Sequence, residues 1–300
     1  MEEESKLALE KPKEEQKMLV AQIYREIEEL QDELEMNFWK IKNFDKVQSS
    51  PTDHRFFSHD NFLKYHISEK ISLNFIIRRE WEVLDLNLIN SSIYVRVYES
   101  RPYLMRAIIK GPPNTIYYNA LFCFDICFTC DYPNQPPKLF YHSYDYDLNP
   151  NLKKNGKVNL PHSKRKCSSS NPFRILDILV TIQGFLNDEF SRNKKNVLII
   201  RTWEAMLVML ESPLEGFEIL VKGHFRTQAH EILRNFKNYM DSKDEIMNKL
   251  FLKLIKAFEA NGTYCKHHYN NQVLNHDYEE AKCNNVTKKN GYSKLPLCIM

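Results

Sequence analysis

Glycine is scarce, with seven in 300 residues, at positions 111, 156, 184, 216, 223, 262 and 291. None lies in a Gly-rich phosphate loop, which excludes the P-loop and dinucleotide fingerprints, whose backbones must approach a phosphate closely. Long apolar runs are missing too. Nothing approaches the roughly 18–20 residues needed to span a bilayer, and the Glu- and Lys-dense start, Met1 to Gln16, does not read as a signal peptide. A net charge of +3 is too small to argue for nucleic acid or an anionic membrane. The seven cysteines form no paired framework. The expectation is a cytosolic or nuclear chain with reduced thiols and no cofactor, metal, membrane or nucleic-acid partner.

What is present is core. Hydrophobic residues make up 43% of the chain, including eighteen Phe and sixteen Tyr, enough for a buried interior. Residues 1–42 read as a charged extension with a helix, since Val20, Ile23, Ile27, Leu30 and Leu34 repeat at heptad spacing over about two heptads. That helix packs on its own chain or serves a partner. Residues 43–67, with Ser49-Ser50-Pro51, read as a linker. From Ser68, Leu73, Ile77, Trp81, Leu84 and Leu88 share one helical face. Strands are predicted at Ile93–Tyr98, Leu104–Lys110, Leu121–Phe128 and Lys138–His142, an antiparallel meander. In the third, Phe122, Phe124, Ile126 and Phe128 face one way and Asp125 the other.

Asn171-Pro172 predicts a helix start, with Asn as N-cap and Pro at N1. Ile175, Ile178, Leu179, Ile182 and Leu186 form the apolar face that follows. Val197, Ile200, Trp203, Leu207 and Leu210 predict a second helix, ending before Pro213, and Ala229, Ile232, Leu233, Phe236 and Met240 a third. Residues 68–241 thus form one core. Met247, Leu250, Leu254 and Phe258 predict an extra helix over 242–260, and 261–300 read as a polar, disordered tail.

Three clusters tempt a metal reading. His54, His59 and His66 lack partner ligands at metal spacing. Cys130 points opposite to Cys123 and Cys127 on a strand, so these read as small hydrophobes on the less buried sheet face. Cys265, His267, His268 and the distant Cys283 lack a second tight pair.

The stretch from Gly111 to Asn159 organises the chain. It contains Gly111-Pro112-Pro113-Asn114-Thr115 followed by Tyr117, Tyr132-Pro133-Asn134-Gln135-Pro136-Pro137, Tyr141-His142-Ser143, Asn149-Pro150-Asn151 and Asn155-Gly156-Lys157-Val158. In this order the motifs resemble the core of a ubiquitin-conjugating enzyme. The Tyr-His-Ser and Asn-Pro-Asn versions, with Phe44-Asp45 and Asp53-His54 upstream, are similar to the long-form subfamily of hybrid conjugating/ligating enzymes and their plant relatives. The resemblance runs from about Phe44 to Met240. It implies an α+β fold: a four-stranded antiparallel meander with an N-terminal helix, a crossover helix and C-terminal helices.

The resemblance also implies a nucleophilic cysteine directly after Gly-Lys-Val, and there the chain has Asn159. A thiolate would take the ubiquitin C-terminus as a thioester, which a carboxamide nitrogen cannot do at neutral pH. Asn151 corresponds to the family's oxyanion-stabilising amide. Downstream, the family's apolar run is replaced by Leu160-Pro161-His162-Ser163-Lys164-Arg165-Lys166. Cys167, beside that basic run, is the fall-back nucleophile, because neighbouring cations favour a thiolate. The expected function is a ubiquitin-conjugating-enzyme-like protein of the ubiquitination pathway without thioester formation. It would bind ubiquitin or a ubiquitin-like protein, an active conjugating enzyme or a ligase noncovalently. The alternatives are an active transferase using Cys167, and a structural or residual protein with no ubiquitin role.

Overall fold

A computed structural model describes residues 32–58, 66–161, 172–187, 192–240 and 244–269. The chain divides into two units, residues 1–41 and 42–300. In the first, helix α1 (Glu33–Trp39) is capped by the Asp32 carboxylate, which accepts from the Glu35 amide at 3.0 Å. The heptad positions Val20 to Leu30 lie outside the described residues.

The second unit is built on a sheet of five strands: β1 (Phe44–Val47), β2 (Ile93–Tyr98), β3 (Leu104–Lys110), β4 (Leu121–Cys127) and β5 (Lys138–Tyr141), in that spatial order. The four predicted strands pair antiparallel, with Ala107 opposite Phe124 and Phe124 opposite Tyr141. The fifth corrects the four-stranded expectation, and residues 43–67 are not simply a linker. Phe44–Val47 adds parallel to β2, held in part by the Asn43 amide, which donates to the Ser91 and Ile93 carbonyls. Four residues with only Phe44 buried were too short a signal for periodicity to reveal.

Helix α2 (Ile67–Asn87) buries the expected stripe of Leu73, Ile77, Trp81 and Leu84, with Leu88 just past its end. Helix α3 (Ile175–Phe185) buries Ile175, Ile178, Leu179 and Ile182, also as expected. Its start is a correction. Pro172 lies ahead of the helix in irregular chain, Asn171 lies outside the described residues, and the helix begins at Ile175 with no side-chain cap from Arg174. The Phe173 amide is committed to the Pro133 carbonyl, and the orphan amide of Ile175 donates to the Glu80 carboxylate on α2 at 3.4 Å. Tertiary partners thus set this terminus.

Helices α4 (Arg192–Glu211), α5 (Glu218–Tyr239) and α6 (Glu245–Ala260) pack against one another. The face of α4 is rotated from the expected one: Val197 is 49% exposed, and the buried stripe runs through Ile199, Trp203, Met206 and Leu210. Trp203 stacks on Phe236 of α5 at 3.7 Å between ring centroids. Helix α6 buries Met247, Leu250, Leu254 and Phe258, so it belongs to the same core. Residues 261–269 are ordered rather than a loose tail, with Thr263, Cys265 and His268 buried. Among the described residues, no helix is long and apolar enough to cross a membrane.

Candidate functional site

The segment after β5 carries the site, and each motif residue has a physical task in shaping it. Tyr141 is buried against Phe122 and Phe124, which anchors the end of β5 in the core. The Ser143 hydroxyl donates to the Lys154 carbonyl at 2.5 Å, and the Lys154 amide donates to Asp147. The Tyr117 hydroxyl, buried at the end of the Gly-Pro-Pro corner, donates to the Leu148 carbonyl. Asn149 is 3% exposed and clamps at both ends. Its amide donates to the Phe185 carbonyl at the end of α3, at 2.8 Å, while its side-chain oxygen accepts from the Asn151 amide, at 2.9 Å.

Asn151 and Asn159 are brought together by the backbone. The Asn159 amide donates to the Asn151 carbonyl at 2.8 Å, within a tight loop in which Leu152 bridges to both Asn149 and Val158. The turn depends on Gly156. Its φ is +84°, and an added Cβ would lie 2.1 Å from the Phe140 ring, while its carbonyl accepts from the Tyr141 amide at 2.8 Å. Asn159 is half-buried, and Pro161 is exposed. Cys167 lies outside the described residues. Two of the described cysteines, Cys123 and Cys127, are no substitutes. Burial raises the thiol pKa of Cys123 far above its usual range and that of Cys127 to about 11, which leaves both protonated. Both are buried, so the β4 face expected to be less buried is covered.

What covers it is a polar network that the sequence did not reveal. Asp125 and Arg106 are register partners on β4 and β3, each fully buried. The Arg106 guanidinium forks onto Asp125 at 2.6 and 3.1 Å and reaches Asp53 at 2.7 Å and the Glu215 carbonyl at 3.1 Å. His142 donates to Asp125 at 2.8 Å, as does the Arg55 amide at 2.7 Å. His54 donates from Nε2 to the Met105 carbonyl and accepts at Nδ1 from the Phe56 amide, which fixes a neutral tautomer. Burial alone would raise the Asp125 pKa. Hydrogen bonds from His142 and Arg106 outweigh that and hold the carboxyl well below the usual range. Burial lowers the His54 pKa, offset in part by Asp125. The signal was an opposite charge in the middle of each of two adjacent apolar strands; a register was needed to pair them.

The sequence model described as ubiquitin-conjugating enzyme matches residues 77–208. Ubiquitin-conjugating enzyme E2 38 of Arabidopsis thaliana is 31% identical over 239 residues, covering 71% of this chain and 71% of that protein. The chain belongs to the ubiquitin-conjugating enzyme family. Arabidopsis ubiquitin-conjugating enzyme E2 24 is 30% identical over 275 residues, covering 75% of this chain but 30% of that longer protein. The human dual E2 ubiquitin-conjugating enzyme/E3 ubiquitin-protein ligase BIRC6 is 26% identical over half of this chain and 4% of its own length. The chain is thus a ubiquitin-conjugating-enzyme-like protein with the family's α+β fold.

Proposed function

We propose that this member of the family acts in ubiquitination without carrying ubiquitin itself. It would bind ubiquitin or a ubiquitin-like protein, an active conjugating enzyme or a ligase through its fold, in cytosol or nucleus. The observation that carries this reading is Asn159. It follows Gly-Lys-Val where the family resemblance requires a thiol, and its backbone is tied to Asn151. A carboxamide there supplies no nucleophile, and an amide beside it has no tetrahedral intermediate to stabilise. The preserved loop favours binding over a purely residual role, because Asn149, Ser143 and Tyr117 all still hold its shape.

The second reading, transfer through Cys167, rests on the adjacent Lys164, Arg165 and Lys166. A reconstituted reaction with activating enzyme, an active conjugating enzyme and labelled ubiquitin tests the proposal. Adding the chain in increasing amounts is expected to change the rate or product pattern saturably while the chain stays unlabelled. No effect at any ratio, together with no binding of free ubiquitin, contradicts it. A thiol-sensitive label on the chain that Cys167→Ser abolishes establishes the second reading instead.

A further inference from the structure

Residues 261–269, directly after α6, do not trail away. Helix α6 ends at Ala260, and Gly262, at φ +94°, turns the chain back onto α5. Three hydrogen bonds pin the turn. Arg226 Nε donates to the Asn261 carbonyl at 2.7 Å, Asn261 Nδ2 to the Lys222 carbonyl at 2.8 Å, and Thr263 Oγ1 to the Arg226 carbonyl at 3.2 Å. Cys265 is fully buried, with burial raising its thiol pKa to about 11, so it serves as a protonated anchor. A short 3-10 helix, Lys266–His268, follows, and Tyr269 donates to Glu259 on α6 at 2.9 Å. The turn therefore holds His267 and His268 at a fixed place on the flank of α5.

At that place α5 presents His230. The three rings cluster, with centroids 5.0 Å apart for His230–His267, 5.3 Å for His230–His268 and 4.2 Å for His267–His268. One nitrogen from each lies within 4.8 Å of the others. His230 Nδ1 and His268 Nε2 are 3.0 Å apart. Ligand nitrogens of a tetrahedral ion with bonds of about 2.0–2.1 Å stand roughly 3.3 Å apart, so this pair needs to open by only a few tenths of an ångström. The exposed His267 ring can close the rest by rotation.

We propose that His230, His267 and His268 form a binding site for a divalent transition-metal ion of the zinc class, fastening the segment after α6 to α5. Three imidazoles suit zinc, copper or nickel rather than magnesium or calcium, which take oxygen ligands. Three protein ligands leave the fourth tetrahedral position to water. Burial lowers the pKa of His268 to about 4 and also lowers that of His230, with neighbouring His267 and Arg234 pushing both the same way. In the metal-free pair, one ring donates to the other. On binding, that ring moves its proton to its second nitrogen, and both contacting nitrogens become ligands. Arg234 and Lys237 oppose the added charge, while Glu231, paired with Arg234 at 2.9 Å, offsets part of it. The sequence showed only part of the site, the adjacent His267 and His268, because His230 lies 37 residues before His267 and forms no second tight pair.

Titration calorimetry of the untagged chain with zinc chloride, and absorption spectra with cobalt, test the proposal. The expected result is one equivalent bound, a cobalt spectrum without a thiolate charge-transfer band, and a higher melting temperature with zinc. His230→Ala and His267→Ala should each weaken binding by at least about tenfold, while His66→Ala leaves it unchanged. The exposed His267 position keeps the test valid if His230→Ala fails to fold. No saturable binding, a thiolate band, or unchanged affinity in His267→Ala overturns the site.

Discussion

Asn149 shows how much of the site loop depends on one side chain. It satisfies the Phe185 carbonyl that α3 leaves without a helical partner and the Asn151 amide beyond the proline. Removing it strands two polar groups in a buried setting. Asn149→Ala should cost about 1–3 kcal/mol in chemical denaturation. Asn159 makes the complementary point about chemistry. Under the proposed reading, Asn159→Cys restores a thiol beside Asn151, yet Pro161 fixes a backbone angle two residues on. A misplacement of about 1 Å can cost on the order of 100-fold in rate. Asn159→Cys should therefore form a thioester slowly or not at all with activating enzyme and ATP. Charging as fast as an ordinary conjugating enzyme would confine the loss to that one residue. The order of these residues was legible in the sequence, as was the position of Asn159. The tasks of Asn149 and Ser143 were not, because their partners Phe185 and Lys154 are 36 and 11 residues away and only the folded loop brings them close.

Among the elements, those with long regular apolar patterns were legible almost to the residue. The stripe Leu73 to Leu88 and strands β2 to β5 stand where spacing placed them. The misses are positions where a tertiary partner overrides local preference. Helix α3 starts late because Pro133 takes the Phe173 amide ahead of it and Glu80 takes the Ile175 amide at its start. Strand β1 is short and gains its stability from pairing with β2. Helix α4 allowed two overlapping stripes that share Trp203 and Leu210, and packing against α5 and α6 buries the one through Ile199 and Met206. A pair of substitutions separates them. Ile199→Ala should cost about 2–5 kcal/mol, as for a fully buried residue. Val197→Ala should stay within about 0.5 kcal/mol. Equal effects in urea denaturation would mean that the α4 face is misassigned.

Across the whole molecule, buried polar groups connect parts far apart in sequence. Asp125 and Arg106 link two central strands to Asp53 before α2 and to Glu215 between α4 and α5. His224 on α5 is buried and donates from Nε2 to the Asn119 carbonyl, tying the helical layer to the corner before β4. Burial lowers its pKa from 6.5 to about 4, so the unfolded chain binds this proton more readily than the folded one. Its contribution is complete above about pH 6.5 and is lost as pH falls toward 4, on the order of 3 kcal/mol in all. The lowered pKa of His54 acts in the same direction. Urea midpoints should fall between pH 7 and pH 4, and His224→Gln, which keeps a donor, should flatten that slope. The proposed absence of ubiquitin transfer has a more direct test. The chain is incubated with activating enzyme, ATP and ubiquitin, and its intact mass is measured without reductant. The expected spectrum holds only the unmodified chain; a ubiquitin adduct that disappears on adding thiol would contradict the central claim.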